Sequence, residues 1–443
     1  MIINTKPLSG FLELLPGDQI EFDRMKNIIE KTYQEFGFTS LDTPIIERSE
    51  VILAKGGAET DSQIYFAYNA NSTEQKAMAL RFDLTVPLAR YVAQYTNDLA
   101  FPFRRMHIGK VYRGERAQKG RFREFYQCDI DVIGKNNLSV FYDGEIPAII
   151  YQVFKRLNIG KFKIKISNRK IFNGFFEALE ITSSFKEIMH IIDKSQKISK
   201  SELETELKAL LNESQITALF DFMEITGSVE FVLSKLKDLD INHTLFKEGL
   251  NELEIVTDTM RALNVPDDYF EIDLSIVRGL DYYTGTVYET IMENSKIGSV
   301  CSGGRYEDLA SHYTKEKLPG VGISIGLSRL FAQLKEFGLI SAEQKTLADV
   351  IVVPQEERDF NAAIYCANIL REQSIKVDLF LEDIALKKKM SYITKMNTPY
   401  VVMVKTADTR QVYSLQYKSA GEIVKKELSP EEIGGVINEI GNK

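Results

Sequence analysis

The stretch from Phe103 to Gly134 decides the fold, and it reads FRRMHIGKVYRGERAQKGRFREFYQCDIDVIG. Apolar residues typical of strands lie on both sides of a polar, turn-like segment at 114–120. The pattern therefore predicts a strand, a basic loop and a returning strand. Residues 104–124 carry eight Lys or Arg against two Glu, although the whole chain has a formal net charge of −8. The predicted hairpin thus holds several cations around one cleft.

The side chains of this hairpin indicate what the cleft binds. The guanidinium group of arginine is planar and permanently charged, which suits it to phosphate oxygens. On the returning strand, Gln127, Asp129 and Asp131 follow one another at a spacing of two and share one face. Cations for a polyphosphate beside acceptors for an amine indicate a site that joins a nucleotide to an amino compound. A charged surface hairpin without a ligand is an equal alternative from these residues alone.

Composition limits the class of protein. A chain of 443 residues is too long for one core, so two or three domains are expected. With 44% hydrophobic and 27% charged residues the chain has the composition of a globular enzyme. We expect neither a membrane span nor a secretory leader, because no apolar run approaches about 18 residues.

Cysteine, histidine and charge narrow the class further. The chain has three isolated Cys and four His, without metal-ligand spacing. Neither a disulfide framework nor a protein-bound structural metal is predicted, and a reducing cytoplasm fits. An isoelectric point near 5.4 argues against indiscriminate nucleic-acid binding, although a local basic patch is compatible with bound tRNA.

The order of residues in the hairpin resembles motif 2 of the class II aminoacyl-tRNA synthetases. In detail, YRGE at 112–115 followed by RFREFYQCD at 121–129 resembles the histidyl-tRNA synthetase family. The helical pattern at 19–36, followed by a strand to Pro44, resembles motif 1, the dimer element. Periodicity alone fits an amphipathic core helix equally well. PGVGISIGLSRL at 319–330 resembles motif 3, in which a helix N-terminus and an arginine face the ATP γ-phosphate.

Three further segments resemble the histidyl family. RGLDYYTG at 278–285 and SGGRYE at 302–307 match its two signatures, and ALRFDLTVP at 79–87 resembles a segment of its eukaryotic-type members. We expect Asp83 and Thr85 to point the same way in an extended segment and to cradle an ammonium group. The paired glycines of SGGRYE are expected to follow an apolar strand and to let the backbone approach a ligand closely, although paired glycines alone are more typical of a bulge or turn.

The resemblance covers nearly the whole chain and implies its architecture. The fold class is α+β, with a six-stranded antiparallel sheet flanked by helices, a helical insertion and a C-terminal α/β domain with a mixed sheet. The expected domains are the catalytic domain at 1–177 and 251–338, the helical insertion at 178–250, and an anticodon-binding domain at 347–443.

Two local patterns in these domains carry their own predictions. Ser201 with Glu204 predicts a capping box that opens a helix of the insertion, where acidic residues outnumber basic ones by thirteen to eight. In the last domain a β-α-β-α-β order is predicted. Its lysine run at 387–389 is either a solvated helix face or a contact to RNA phosphates.

The resemblance also implies roles for individual residues. The histidine-binding residues are Asp83, Thr85, Gln127, Asp131, Tyr282 and Tyr283. The ATP-binding residues are Arg113, Glu115, Arg121, Phe125, Arg278 and Arg329. Of these, Arg113 and Arg278 are the catalytic residues. In the basic loop, Arg116 and Gln118 are candidates for reading the acceptor end of the tRNA.

The activity implied is that of a histidine–tRNA ligase in the cytoplasm. It activates L-histidine with ATP and Mg²⁺ to histidyl-adenylate and transfers it to the 3′ end of tRNA(His), as a homodimer. The alternative is a non-catalytic relative that senses histidine and regulates its biosynthesis. That alternative predicts a missing last domain and lost phosphate-binding arginines, whereas Arg113, Arg121, Arg278 and Arg329 are all present. Spacing and charge alone predict only a nucleotide-using α/β enzyme.

Overall fold

The computed structural model describes residues 3–54, 61–71, 76–118, 120–181, 184–193, 198–276, 283–293 and 298–441. The chain divides into two compact units. The first contains Met1–Glu13 and Met25–Leu339, and the second contains Leu14–Arg24 and Ile340–Lys443.

A long mixed sheet forms the centre of the first unit. Its strands, and those of a small separate sheet, are β1 (Thr39–Ser40), β2 (Ile46–Arg48), β3 (Phe66–Ala67), β4 (Met78–Leu80), β5 (Phe103–Tyr112), β6 (Glu124–Ile133), β7 (Phe162–Asn168), β8 (Phe270–Ile272), β9 (Thr286–Met292), β10 (Cys301–Tyr306) and β11 (Gly320–Gly326). The eight-stranded sheet has the order β1-β5-β6-β11-β10-β9-β7-β8, and β2, β4 and β3 form the small sheet.

In the order β5-β6-β11-β10-β9-β7, neighbouring strands are antiparallel, which gives the six-stranded antiparallel sheet that the family resemblance implies. One short strand is added at each edge, and both run parallel to their neighbours, β1 to β5 and β8 to β7. The α+β fold class is therefore confirmed, and the complete sheet is mixed.

Helices flank this sheet and form the region between β7 and β8. They are α1 (Pro16–Glu35), α2 (Ser49–Leu53), α3 (Thr85–Gln94), α4 (Phe141–Leu157), α5 (Arg169–Ala178), α6 (Phe185–Asp193), α7 (Lys200–Leu207), α8 (Glu213–Met223), α9 (Val229–Asp238), α10 (Thr244–Ala262) and α11 (Leu327–Glu336). Helix α10 continues across residue 250, where the sequence places the end of the helical insertion.

The capping box that opens α7 lies two residues before the predicted one. The segment SKSELE contains Ser-x-x-Glu twice, and the structure uses Ser199 with Glu202 rather than Ser201 with Glu204. The Ser199 backbone N–H donates to Glu202 Oε2 at 2.9 Å, and the Glu202 N–H donates to Ser199 Oγ at 3.3 Å. Ser199 has extended dihedral angles, as a residue before a helix must, whereas Ser201 already lies in the first turn.

Side chains alternate along β6 between an apolar and a polar face of the sheet. Cys128, Ile130 and Val132 are fully buried on one face, and Gln127, Asp129 and Asp131 lie on the other. The part of α1 from Met25 onward packs against β6, where the fully buried Tyr33 donates its hydroxyl hydrogen to the Cys128 carbonyl at 3.1 Å. The polar face is left for a site.

Helix α4 is fastened to the same apolar side by a buried ion pair. Asp143 accepts hydrogen bonds from the Arg305 guanidinium at 2.7 to 3.1 Å and from the Thr286 hydroxyl at 2.7 Å. The Tyr288 hydroxyl donates to the Asp143 carbonyl at 2.6 Å. The arginine of SGGRYE is thus a structural residue that joins β10 to α4.

The paired glycines of SGGRYE lie inside β10, which corrects the prediction that they follow a strand. A Cβ atom on Gly304 would lie 2.6 Å from the Thr286 carbonyl oxygen and 2.9 Å from Cδ1 of Tyr283, and one on Gly303 would meet the Gly322 carbonyl oxygen. Glycine here permits the close approach of neighbouring strands and of the Tyr283 ring.

The second unit contains a five-stranded mixed sheet of order β13-β12-β14-β15-β16. Its elements are β12 (Val350–Pro354), α12 (Phe360–Glu372), β13 (Val377–Leu379), α13 (Leu386–Met396), β14 (Tyr400–Ala407), β15 (Arg410–Ser419), β16 (Glu422–Glu427) and α14 (Pro430–Gly441). The predicted β-α-β-α-β order corresponds to β12 through β14, and the sequence reasoning missed the three elements that follow.

The lysine run at 387–389 is divided between surface and interior. Lys387 and Lys388 are exposed on α13, whereas Lys389 is fully buried and donates to the Pro354 carbonyl at 2.9 Å. Lys389 therefore holds the end of β12 and is no phosphate contact. Among the described helices of the whole chain, none is long and apolar enough to cross a membrane.

We predict that Asp143→Ala lowers the free energy of unfolding by about 3–5 kcal/mol, because it leaves the buried Arg305 charge unpaired. Denaturant unfolding measures the change. Asp258→Ala is the control, since that carboxylate is exposed and pairs with Arg261 only at the surface, at 3.6 Å. A loss below about 1 kcal/mol for Asp143→Ala would contradict the anchoring role of the pair.

Candidate active site

Two adjoining cavities open on the polar face of the sheet in the first unit. The first has a volume of about 240 Å³ and the second about 140 Å³. Arg113, Gln127, Ser302 and Ser324 line both of them, so the two cavities meet at these four residues.

The predicted histidine-binding and ATP-binding residues line different cavities, and among those described only Arg113 and Gln127 line both. The first cavity is lined by Asp83, Thr85, Gln127, Asp131 and Tyr283 from the histidine-binding set. The second is lined by Arg113, Glu115, Arg121, Phe125 and Arg329 from the ATP-binding set. Tyr282 and Arg278 lie outside the described residues. Arg116 and Gln118 line neither cavity and are exposed in the β5–β6 loop. The roles of all these residues stay predictions.

Small residues on β11 make room for the first cavity. In the strand register Gly322 lies opposite Asp131, and Ser324 lies opposite Asp129. A Cβ atom on Gly322 would meet the Asp131 carboxylate. The acidic residues of β6 thus have space beside them because their neighbours on β11 are small.

The Asp131 carboxylate is held by two buried groups. Its Oδ2 lies 2.8 Å from Nη2 of Arg105, whose side chain is fully buried on β5. Its Oδ1 accepts from the Tyr306 hydroxyl at 3.0 Å. Burial raises the pKa of Asp131, while Arg105 and Tyr306 act in the opposite direction. Asp131 therefore has one fixed orientation in the cavity wall.

Asp83 is fixed by the helix that follows it. Its Oδ1 accepts from the backbone N–H groups of Thr85 at 3.0 Å and Val86 at 2.8 Å, at the start of α3. The prediction that Asp83 and Thr85 share a face of an extended segment is wrong, because Thr85 is the first helical residue. Both residues still line the first cavity, because the Asp83 carboxylate is hydrogen-bonded to the first backbone N–H groups of α3.

Ser324 connects two residues of β6. It accepts from Nε2 of Gln127 at 2.7 Å, and it is hydrogen-bonded to the Asp129 carboxylate. Burial raises the pKa of Asp129 to about 7; the nearby carboxylates of Asp131 and Asp83 add to the rise, and Arg105 and Ser324 oppose it. A carboxyl group with this pKa is partly protonated near pH 7, and a cation bound beside it would favour the ionised form.

His107 on β5 lies directly opposite Asp129 in the strand register, with Arg81 close to it. His107 Nε2 lies 2.9 Å from Oδ1 of Asp42, and the Arg81 guanidinium donates to the Thr43 carbonyl at 2.6 Å and the Lys110 carbonyl at 2.8 Å. Burial, with the charges of Arg105 and Arg81, lowers the pKa of His107 to about 3. The imidazole of His107 is therefore neutral at physiological pH and acts as a packing and hydrogen-bonding group.

Arg113 stands where the cavities meet, between two aromatic rings. Its guanidinium lies 4.5 Å from the ring centroid of Phe82 and 5.2 Å from that of Phe125. Its Nε donates to the Phe82 carbonyl at 3.2 Å. These contacts hold the cation at the junction of the two cavities.

Two more arginines enter the second cavity from different elements. Arg329 on α11 donates to the carbonyls of Gly120 at 3.1 Å and Ser299 at 3.0 Å. Arg121 donates to Oε2 of Glu115 at 3.3 Å. The N-terminus of α11 follows Gly326, which also lines this cavity, and adds the positive end of a helix dipole. Such a cavity suits a polyphosphate.

Sequence reasoning assigned no role to several residues that build the first cavity. The sequence placed Asp129 on the correct face. Ser302, Tyr306 and Ser324 lie in segments that resemble the family, but a serine or tyrosine in a strand, like the buried Arg105, gives no individual signal of a place in a cavity. The residues are Arg105, Asp129, Ser302, Tyr306 and Ser324. Among the described residues, no group of three or more His, Cys, Asp or Glu side chains is placed to hold a metal ion.

Comparison with known proteins agrees with this geometry. A sequence profile described as Histidyl-tRNA synthetase matches residues 10–330, and one described as Anticodon binding domain matches residues 349–440. The chain is 53% identical over 406 residues to the histidine–tRNA ligase of Clostridium tetani (strain Massachusetts / E88), which covers 91% of each chain.

Solved structures resemble the chain over its length. A histidyl-tRNA synthetase from Nostoc sp. PCC 7120 has a TM-score of 0.90 and 39% identity, and the match covers 99% of this chain and 100% of that one. An ATP phosphoribosyltransferase regulatory subunit/histidyl-tRNA synthetase from Bacillus halodurans C shares the fold, at a TM-score of 0.75 and 22% identity over 92% of this chain and 100% of that chain.

The antiparallel sheet and its paired cavities define a class II aminoacyl-tRNA synthetase, an enzyme that uses ATP. The chain belongs to the histidyl-tRNA synthetase family. The prediction of a histidine–tRNA ligase is confirmed, and the comparisons favour it over the regulatory alternative. Family membership implies histidine, ATP and tRNA as partners.

We predict that Gly322→Ala raises the KM for histidine by at least about tenfold, because the added methyl group displaces the Asp131 carboxylate from Arg105 and Tyr306. The KM for ATP should change less than about twofold, since Gly322 does not line the second cavity. Steady-state pyrophosphate exchange measures both constants.

Gly435→Ala is the matched control, because a Cβ atom there meets open space on α14. A folded Gly322→Ala variant with an unchanged KM for histidine would mean that the orientation of Asp131 does not matter for binding.

Proposed function

We propose that the two cavities bind L-histidine and ATP side by side and form histidyl-adenylate, which then charges the 3′ end of tRNA(His). The observation that carries this proposal is the junction of the cavities at Arg113 and Gln127. One side of the junction is lined by carboxylates and the other by arginines. A small zwitterion and a polyphosphate bound in this way have their reactive ends adjacent.

The first cavity has acceptors for each polar end of histidine. Asp83, Thr85 and Gln127 hold the amino group, and Asp131 with Tyr283 and Tyr282 form the pocket for the imidazole ring. An amino acid with an apolar side chain would leave the polar groups of the imidazole pocket unpaired, at a cost of roughly 1–3 kcal/mol for each group. Selection for histidine follows from this cost.

The second cavity holds ATP through charge and stacking. Arg113 binds the α-phosphate, Arg121 and Arg329 bind the terminal phosphates, and Phe125 stacks on adenine. Glu115 accepts from the adenine amino group or binds the Mg²⁺ ion that ATP brings, and it is the one carboxylate among the described residues lining this cavity. A bound metal ion would supply positive charge beside the pyrophosphate group.

The reaction is an in-line displacement at the α-phosphorus. A carboxylate oxygen of histidine forms the new O–P bond as the bond to pyrophosphate breaks, and Arg113 with Arg278 stabilises the developing negative charge. No covalent enzyme intermediate is required. The terminal hydroxyl of the tRNA then attacks the adenylate carbonyl, and a phosphate oxygen of the substrate takes the proton.

Arg116 and Gln118 read the acceptor end of the tRNA. Residues 347–443 form the anticodon-binding domain, and residues 1–177 and 251–338 form the catalytic domain, with an insertion at 178–250. The enzyme works in the cytoplasm as a homodimer through the motif 1 region, to which α1 belongs.

We predict that pyrophosphate exchanges into ATP in the presence of L-histidine and not with any of the other nineteen amino acids. The radioactive exchange assay with each amino acid alone measures this selectivity. Binding of histidine without exchange would indicate the regulatory alternative, and exchange with a different amino acid would contradict the assignment of Asp131 and Tyr283.

We predict that Arg278→Ala lowers the rate of adenylation far more than it weakens histidine binding, because its charge is needed most in the transition state. Single-turnover adenylation and equilibrium titration with histidine separate the two effects. Equal losses in rate and affinity would remove Arg278 from the transition-state role.

A further inference from the structure

The floor of the first cavity contains a carboxylate whose hydrogen-bonding capacity is not filled by the protein. Asp129 is 2% exposed and lines this cavity, yet its Oδ1 has no hydrogen-bond partner among the described residues. The same holds for Oε1 of Gln127, which is 9% exposed. Leaving a buried acceptor unpaired is costly, so two unpaired acceptors among the residues that line one cavity indicate a position for a hydrogen-bond donor of a ligand.

The two acceptors lie on one face of β6, two residues apart, which places their Cα atoms about 7 Å apart. Gln127 and Asp129 are also tied together, because both contact the Ser324 hydroxyl. Their remaining oxygens therefore have a fixed relation to each other. A group with several N–H donors in different directions can donate to both of them, and an alkylammonium group has three such donors.

Charge indicates a cation as well. The carboxylates of Asp83, Asp129 and Asp131 line the cavity, whereas the buried Arg105 is already paired with Asp131 at 2.8 Å. No salt bridge of Asp129 is found among the described residues, and the positive charge nearest to act on its carboxylate is that of Arg105, which pairs with Asp131. A buried carboxylate of this kind is stabilised by a cationic ligand.

We propose that Asp129 is a further substrate-binding residue, whose Oδ1 accepts a hydrogen bond from the α-ammonium group of the amino acid, beside Gln127. This inference rests on the proposed function. In this arrangement two carboxylates of β6 bind different ends of the amino acid. Asp131, held by Arg105 and Tyr306, faces the imidazole ring, and Asp129 faces the ammonium group.

Substitution of Asp129 by Asn tests this division, because asparagine keeps the shape and removes the charge. We expect Asp129→Asn to lower the affinity for L-histidine about ten- to a hundredfold. The affinity for 3-(imidazol-4-yl)propionate, which lacks the amino group, should change less than about twofold. Asp131→Asn should lower the affinity for both compounds. Asp98→Asn, an exposed carboxylate away from the cavities, controls for the lost charge. Inhibition of exchange and direct titration give the two affinities.

Proton release supplies a second readout that a purely structural role would not produce. Around Asp129 the charged or titratable groups are Arg105, His107, Asp83, Asp131, Cys128, Cys301 and Tyr33. The last three have pKa values raised well above their ordinary ranges by burial, and His107 is neutral, so none of these four ionises near pH 7.

The ammonium group favours ionised Asp129, whose pKa in the free protein is about 7. Histidine binding at pH 7 should then release up to about half a proton more from the wild-type protein than from Asp129→Asn. Calorimetry in buffers of different ionisation enthalpy measures the difference.

Each outcome decides one question. Selective loss of histidine affinity together with lost proton release supports the inference. Equal loss for both compounds, or unchanged affinity and proton release, overturns it. Absence of histidine-dependent exchange in the wild-type protein would instead be a failure of the proposed function.

Discussion

The ion pair between Arg105 and Asp131 is the constraint on which the site depends. Both side chains are almost completely buried, and removing two charges from water costs several kcal/mol for each ion before their attraction is counted. A pair of this kind is a poor source of stability. Its effect here is geometric, because the fully buried guanidinium on β5 and the hydroxyl of Tyr306 together fix one carboxylate in the wall of a cavity.

The long antiparallel hairpin makes that arrangement possible. Because side chains alternate along β6, the strand gives Cys128, Ile130 and Val132 to the helix-covered core and its polar residues to the cavities. The neighbouring strand β11 has Gly322 and Ser324 opposite Asp131 and Asp129, so the polar face is not filled by large side chains. On the other face, Asp143 and Arg305 hold α4 against the sheet.

Much of this arrangement can be predicted from the sequence. The basic hairpin predicts the cation-rich cleft, and strand alternation places Gln127, Asp129 and Asp131 on one face of β6. Local sequence patterns predict less where one segment is compatible with two structures. The segment SKSELE offers two capping boxes, and only the position at which α7 begins selects Ser199 over Ser201. The capping contact of Asp83 likewise depends on where α3 starts.

The rest of the site could not be predicted because it depends on long-range register. The partnership of Arg105 with Asp131 follows from the pairing of β5 with β6, and that of Ser324 with Gln127 joins residues nearly two hundred positions apart. Lys389 shows the same limit. Its place in a lysine run predicts a surface residue, whereas packing buries it against the end of β12.

A crystal structure of the protein with L-histidine and a non-hydrolysable ATP analogue tests the account most directly. We predict the imidazole ring against Asp131 and Tyr283 and the ammonium group against Gln127 and Asp129. The α-phosphate should contact Arg113, with the histidine carboxylate in line for attack. Histidine bound outside the first cavity, or phosphates away from Arg113, would contradict the assignment of the two cavities.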